Sequence, residues 1–423
     1  MMNIGWATEN STPVIPVWQS GFAARTKKSE GIHDPLFVKA CYINDGKTEV
    51  FLISCDLLGI TNAQVENIKK RAMESCGTAN IIFGATHTHS GPTGSPQFAW
   101  EENMFDPLAM SEFDEKVALA MVNAKKRAEP SILYNGFTSV PEVAKNRRAG
   151  ETAVDNELGI LWAKNSEGKI TGIIVNYACH CTILDSSNYL ISADYPGYIY
   201  QEAEKQFPGV TAMFFNGACG DLNIGYSADA SAFGANMGEL RSFKNAEKMA
   251  GFIFEGIKRV INNPIEVEGQ ISFIYVTLEL PSRNNLPSLQ SLVSEKESLE
   301  KAGQEDTDSQ LKLVYTKALL GNVAHLCKNG QIVQGESVLM VIGKTVIITV
   351  PGELFCEIGM AIKNIFKPDK QAFLFGYTNG YVGYLPTKKA FLAGGYECET
   401  SVHGPETESY LIRAVEKAAA GKL

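Results

Sequence analysis

No apolar run in this sequence is long enough to cross a bilayer, which excludes an integral membrane segment. Basic residues are in deficit: 38 Lys and Arg stand against 47 Asp and Glu, a formal charge of -9. A nucleic-acid phosphate track or an anionic membrane surface calls for clustered cations, so no nucleic-acid partner is expected. Paired cysteines at zinc-finger spacing are also missing. The nine cysteines are odd in number and sit mostly in apolar runs such as Leu52-Ile53-Ser54-Cys55, so they read as small core residues, not as a disulfide frame. They favour a reducing compartment. There is no internal repeat and no low-complexity tract. The opening Met1-Met2-Asn3-Ile4-Gly5-Trp6 has neither the basic nor the apolar region of a leader. The expected location is therefore cytoplasmic, or secreted or periplasmic if a leader was removed.

What is present is core-forming material: 45% of 423 residues are hydrophobic. Strand-like runs at Val38 to Ile43 and Val50 to Ser54 precede a helical pattern at Asn62 to Cys76. Ala79 to Phe83 reads as a buried strand, Met110 to Lys126 as a helix, Gly159 to Ala163 and Thr171 to Tyr177 as paired strands, and Thr211 to Phe215 as another strand. Helices follow from Gly238 to Ile261. Gly343-Lys344 between Glu336 to Ile342 and Thr345 to Val350 signals a hairpin, and a polar helix closes the chain near Glu406 to Ala420. Hairpins give antiparallel neighbours and helical crossovers parallel ones. The expected fold is therefore α/β, with mixed β-sheets and flanking helices in one large domain over residues 1–423. Ser282 to Lys328, rich in Glu, Lys, Ser and Gln, reads as a solvated helical insertion at about 282–328.

Polar chemistry concentrates where strands end. Thr86-His87-Thr88-His89-Ser90-Gly91-Pro92 follows the strand at Ala79 to Phe83. If extended, it puts His87 and His89 on one side, one for a metal and one for a substrate; two surface histidines are the plain alternative. His180 ends the strand through Tyr177, between Cys179 and Cys181, and a core histidine bonded to a carbonyl explains it equally well. Glu353 in Val350-Pro351-Gly352-Glu353-Leu354 opens a helix expected through Ile365, where the macrodipole alone favours an acid. Gly376 to Tyr384 gathers glycines and tyrosines too polar for a core strand, as an aromatic wall or as a phenol near a metal.

These motifs occur in an order that resembles the catalytic domain of the neutral, non-lysosomal ceramidases over essentially the whole chain. The resemblance runs through Gly31 to Leu36, Asp56-Leu57-Leu58, Thr86 to Pro92, Asn146-Arg147, His180, Asp194 to Tyr198, Asn216 to Asp221, Pro351-Gly352-Glu353 and Asn379 to Glu397. It implies a Zn2+ cofactor held by His87, His180, Glu353 and Tyr384, with a water acidified into a nucleophile. It also implies that His89, Arg147 and Tyr396 surround the scissile amide as oxyanion donors or proton carriers.

Two departures qualify the likeness. Where the family has Gly-Asp-Val-Ser-Pro, this chain has Gly220-Asp221-Leu222-Asn223-Ile224. An asparagine forms no acyl-enzyme, but its amide can donate to an oxyanion, so Asn223 joins the catalytic candidates. The family's further β-sandwich domain is not expected after residue 423. The leading reading is a zinc amidohydrolase acting on ceramide or a related N-acyl lipid amide. A zinc amidase or esterase for a soluble substrate and an inactive lipid- or partner-binding relative stand as alternatives. A homo-oligomer is compatible with any of them.

Overall fold

The computed structural model describes residues 1–232, 238–302, 306–327 and 332–421. The first half builds a large mixed sheet from β1 (Met2–Asn10), β2 (Phe37–Asn44), β3 (Glu49–Cys55), β4 (Ile81–Ala85), β5 (Glu129–Ser139), β6 (Glu157–Asn165), β7 (Ile170–Tyr177) and β8 (Thr211–Asn216). Their order is β8-β7-β6-β5-β1-β2-β3-β4, with Ile265–Glu266 pairing on β5. The two outer pairs, β8/β7 and β3/β4, are parallel and the inner ones antiparallel. Helices α1 (Asn62–Cys76), α2 (Pro107–Lys126), α3 (Tyr195–Gln206) and α4 (Phe243–Ile261) cover its outer face.

A second mixed sheet, β9-β10-β11-β13, comprises β9 (Ile271–Pro281), β10 (Ile332–Ile342), β11 (Thr345–Thr349) and β13 (Gln371–Phe375). The hairpin β10/β11 turns at Gly343-Lys344, as the sequence predicts. Period-two alternation aims the two faces of each strand at different neighbours. Val338, Met340 and Ile342 of β10 meet the first sheet, where Phe215 stacks on Phe375 at 4.3 Å, while Leu339 and Val341 face outward. The outward face is covered by α7 (Cys356–Asn364) and α8 (Thr407–Ala420). Two mixed sheets therefore lie face to face between layers of helices.

Several boundaries differ from expectation. The strand expected at Ala79 to Phe83 runs over Ile81–Ala85, and a 3-10 turn, Gly238–Arg241, precedes α4 behind the Ser242 cap. Glu353 does not open a helix. It lies in the short strand β12 (Glu353–Leu354), paired parallel with β14 (Tyr384–Leu385), and the helix starts only at Cys356. Long-range pairing here overrides the local preference of an acid for a helix N-terminus. The insertion is a helical hairpin, α5 (Leu289–Ala302) and α6 (Thr307–Leu326); residues 303–305 and 328 of the expected segment lie outside the described residues. All nine cysteines are free thiols, eight of them buried.

The C-terminal ends of β4, β7, β8, β11 and β13 converge. Ala85 N donates to Tyr377 O at 3.1 Å, Gly217 N to Tyr177 O at 3.0 Å and Gly376 N to Asn216 O at 2.9 Å. The loops leaving β4, β7, β11 and β13 hold His87, His89, His180, Glu353 and the Gly376 to Tyr384 cluster.

Candidate metal centre

His87 leaves β4 in a left-handed conformation, φ 64°, so the segment is not extended. A side chain other than glycine adopts this region at a cost of about 1–2 kcal/mol. The surroundings enforce it: His87 N donates to Leu57 O at 2.9 Å, and Thr88 Oγ1 donates to Ser192 O at 2.8 Å. His87 and His89 still converge, with their Nε2 atoms 3.3 Å apart. Gly21, at φ 94°, lets its loop press on the His89 ring, since a Cβ there would lie 2.3 Å from Nδ1. His180 follows β7 and is pinned by its own N–H donating to Leu222 O at 3.1 Å.

The ring nitrogens decide the chemistry. His87 Nδ1 lies 2.6 Å from Leu58 O and His180 Nδ1 lies 2.6 Å from Cys219 O. A carbonyl only accepts, so both Nδ1 atoms carry hydrogen and both Nε2 atoms present lone pairs. Those lone pairs face a carboxylate: Glu353 Oε2 is 3.1 Å from His180 Nε2 and 3.5 Å from His87 Nε2. All three side chains are buried, and burial, outweighing Glu353, pulls the His87 imidazole down to about 3. Glu353 is raised by burial but lowered further by His87 and His180, to about 2. The two shifts are not those of an ion pair between His87 and Glu353 at neutral pH; they leave a carboxylate beside a neutral His87 imidazole. The donor set of two imidazole nitrogens and a carboxylate oxygen suits a divalent metal. His87, His89 and His180 together offer nitrogen atoms within 4.8 Å of one another, a group that can hold a metal.

The supporting groups were not singled out from the sequence. Tyr381 donates its hydroxyl to Glu353 Oε1 at 2.5 Å and Tyr377 to Oε2 at 3.4 Å, while Tyr377 stacks on His87 at 4.1 Å. The Gly and Tyr cluster was the available signal, but nothing in it ranked one phenol above another. Gly220 allows the loop bearing Cys219 O to lie against β12, since a Cβ would sit 2.4 Å from Glu353 O.

Tyr384 is the register partner of Glu353 in the β12/β14 ladder, and its hydroxyl accepts from Arg147 Nη2 at 3.0 Å. Burial, with Glu353 adding to it, pushes this phenol well above its usual range, and Arg147 opposes. Arg147 Nε donates to Glu397 Oε1 and Arg148 Nη1 to Glu397 Oε2, each at 2.7 Å. Glu397 ends the segment Asn379 to Glu397 that carries the family resemblance, but no role was assigned to it there. Tyr396 stands edge-on to Tyr384 with ring centroids 5.8 Å apart.

His87, His89, Glu353, Tyr384 and Tyr396 line one cavity. His89, Arg147, Tyr384 and Tyr396 line an adjoining inner compartment, with Trp100 in the wall of both. The hairpin α5/α6 roofs them: Val314, Lys317, Gly321 and Asn322 of α6 contribute to the walls. Glu101 ties the roof down through Lys317 at 2.7 Å and Lys296 at 3.0 Å. Asn223 is not among these residues. It is fully buried, its Nδ2 donates to Tyr226 O at 2.8 Å, and its Oδ1 accepts from Gly225 N at 2.7 Å. Its amide holds a turn, and the oxyanion role expected for it gains no support from this geometry.

Residues 3–232 match the family model described as neutral/alkaline non-lysosomal ceramidase, N-terminal. The chain belongs to this family. His87, His89, Arg147, His180 and Asn223 fall inside the matched span, and Glu353, Tyr384 and Tyr396 beyond it. Among curated relatives, the neutral ceramidase of Pseudomonas aeruginosa is 23% identical over 465 residues, covering 93% of this chain and 68% of the relative. Neutral ceramidase B of Dictyostelium discoideum is 22% identical over 431 residues, covering 81% of this chain and 60% of the relative. The crystal structure of the Pseudomonas aeruginosa enzyme superimposes with a TM-score of 0.78 at 18% identity, covering 99% of this chain and 74% of that one. This ceramidase-family chain thus shares their mixed-sheet α/β fold and spans about two-thirds of their length.

Proposed function

We propose that the chain is a zinc-dependent amidohydrolase that cleaves an N-acyl bond, in a single catalytic domain roofed by the α5/α6 hairpin. The carrying observation is that His87 Nε2 and His180 Nε2 face the buried Glu353 carboxylate at 3.5 and 3.1 Å while backbone carbonyls hold both Nδ1 atoms. Family membership supports the amide, since the relatives named above are ceramidases.

His87, His180, Glu353 and Tyr384 would hold the zinc. When bound, zinc supplies Lewis acidity that brings a water's pKa toward neutrality. The chain's own residues do the rest. His89, kept neutral by burial, has a ring nitrogen free to take a proton during attack and return it to the leaving amine. Arg147, fixed by Glu397, presents a permanent cation to charge developing on the carbonyl oxygen. Burial keeps the Tyr396 phenol protonated, so its hydroxyl donates to the same oxygen. Trp100 and the α6 wall limit water around the reacting bond.

The test is metal content per chain by mass spectrometry, alongside acid release from an N-acyl sphingosine and from small N-acyl amides. Zinc at one per chain with release from either substrate is expected. Zinc with release only from the small amides moves the substrate away from ceramide, and a chain that binds no divalent metal sinks the proposal.

A further inference from the structure

Beside the inner compartment lie two arginines that the chemistry above does not use. Arg25 and Arg241 are 4% and 6% exposed, and their guanidinium carbons lie 4.9 and 5.3 Å from the Phe22 ring, which is part of the compartment wall. Among the described residues neither has a carboxylate within ion-pair distance, that is, 4.0 Å. Arg25 Nη1 donates to the carbonyls of Ser20 and His89, and Nη2 to that of Asp185. Arg241 Nη2 donates to Leu184 O at 2.9 Å and Thr182 O at 3.4 Å, and its face lies on Tyr226. Among the described residues, Arg25 Nε, Arg241 Nε and Nη1 and the hydroxyl of Thr182, a wall residue of the compartment, are buried without a hydrogen-bond partner.

The nearest carboxylates lie beyond ion-pair distance: Asp185 offsets part of the Arg25 charge while its Oδ1 bonds to Ser187, and Glu397 is paired with Arg147 and Arg148. Residues 233–237, Phe-Gly-Ala-Asn-Met, contain no acid. Burial draws Arg25 down only to about 9, so it is cationic at neutral pH. Burying an unpaired guanidinium costs several kcal/mol, and two side by side repel each other as well. A positive field in a low-dielectric wall is relieved by an anion. The space is about 40 Å³, room for a compact group and not for an alkyl chain.

We infer that the inner compartment receives a carboxylate borne by the substrate, so that the chain hydrolyses acidic N-acyl amides of the N-acyl amino acid kind in preference to neutral ones. Thr182 Oγ1 would meet the carboxylate, with Arg25 and Arg241 as specificity-determining charges behind Phe22. The inference rests on the amidohydrolase reading. In the reaction, water adds across the C–N bond, the acyl carbon gains the hydroxyl, and the amino acid leaves with the proton on its nitrogen.

The experiment compares kcat/KM of the zinc-loaded full chain for an N-acylglycine and for the N-acylethanolamine of the same acyl chain, in low salt. At least tenfold preference for the acidic amide is expected, shrinking about tenfold in Arg241→Gln and Arg25→Gln. Equal rates, or preference for the neutral amide, overturn the inference and leave the hydrolase standing. If neither amide is cleaved, the hydrolase reading is decided by the N-acyl sphingosine assay. The inference is then judged by thermal shift with the two compounds: stabilisation by the acidic one alone supports anion binding, and equal or absent shifts overturn it. The wild-type comparison decides the matter even if the arginine variants do not fold.

Discussion

Glu353 and Tyr384 stand opposite each other in a two-residue parallel ladder, β12 against β14, so one backbone pairing delivers both a carboxylate and a phenol to the cavity holding His87. That carboxylate lies 3.1 Å from His180 Nε2. Zinc should therefore stabilise the wild type, by about 3 kcal/mol at a hundredfold excess over the dissociation constant. Glu353→Gln should lose this response. An amide N–H can donate to His180 Nε2, so the metal-free variant should melt no lower than metal-free wild type. Thermal unfolding with and without zinc measures both, and a metal-free variant that melts well below wild type counts against the lone-pair assignment.

Tyr381 donates to Glu353 Oε1 at 2.5 Å, a bond to a charged acceptor. Tyr381→Phe should weaken zinc affinity by about 10–100-fold, the usual cost of removing a group that orients a ligand, while leaving the fold intact. Competition with a chelator of known affinity gives the number. An unchanged affinity would mean that Glu353 does not need this tyrosine to hold its orientation.

Glu397 is the only carboxylate paired with Arg147 and Arg148 among the described residues, and it is 2% exposed. Removing one partner of a buried pair strands the other charge, so Glu397→Ala should cost about 3–5 kcal/mol. Glu397→Gln keeps an acceptor and should cost less. Denaturant unfolding separates these outcomes, and a loss below about 1 kcal/mol in the alanine variant would contradict the pairing.

His403 is fully buried, and burial lowers it to about 4 against the opposing pull of the Val382 carbonyl. An unfolded histidine takes its proton near pH 6.5. Between those values the unfolded chain binds a proton that the folded one refuses, so stability is lost as pH falls, by about 3 kcal/mol in all. Asp56 and Asp194, raised by burial to about 6, act with the opposite sign over pH 4–6. The wild-type difference from His403→Gln, followed by denaturant unfolding from pH 7 to 4.5, isolates the histidine. A difference independent of pH would refute the assignment.

The gross architecture was legible because it rests on local periodicity. The helix expected at Asn62 to Cys76 has those bounds, and the expected strands at Gly159 to Ala163 and Thr171 to Tyr177 pair antiparallel. Glu353 misled because its neighbours fit a helix start, whereas pairing with Tyr384 outweighs that preference. Asn223 misled because residue type speaks of donors and acceptors but not of whether a nearby turn has consumed them.

Residue type and order alone determined which groups were available: imidazoles at two strand ends, an acid after Pro-Gly and a cluster of tyrosines, within alternating strands and helices. Only the tertiary structure decided which atoms meet. The Leu58 and Cys219 carbonyls select the histidine tautomers, and those contacts join segments far apart in the chain. The same holds for the unpaired Arg25 and Arg241, since a charge is compensated through space and its sequence neighbours do not record whether a partner arrived.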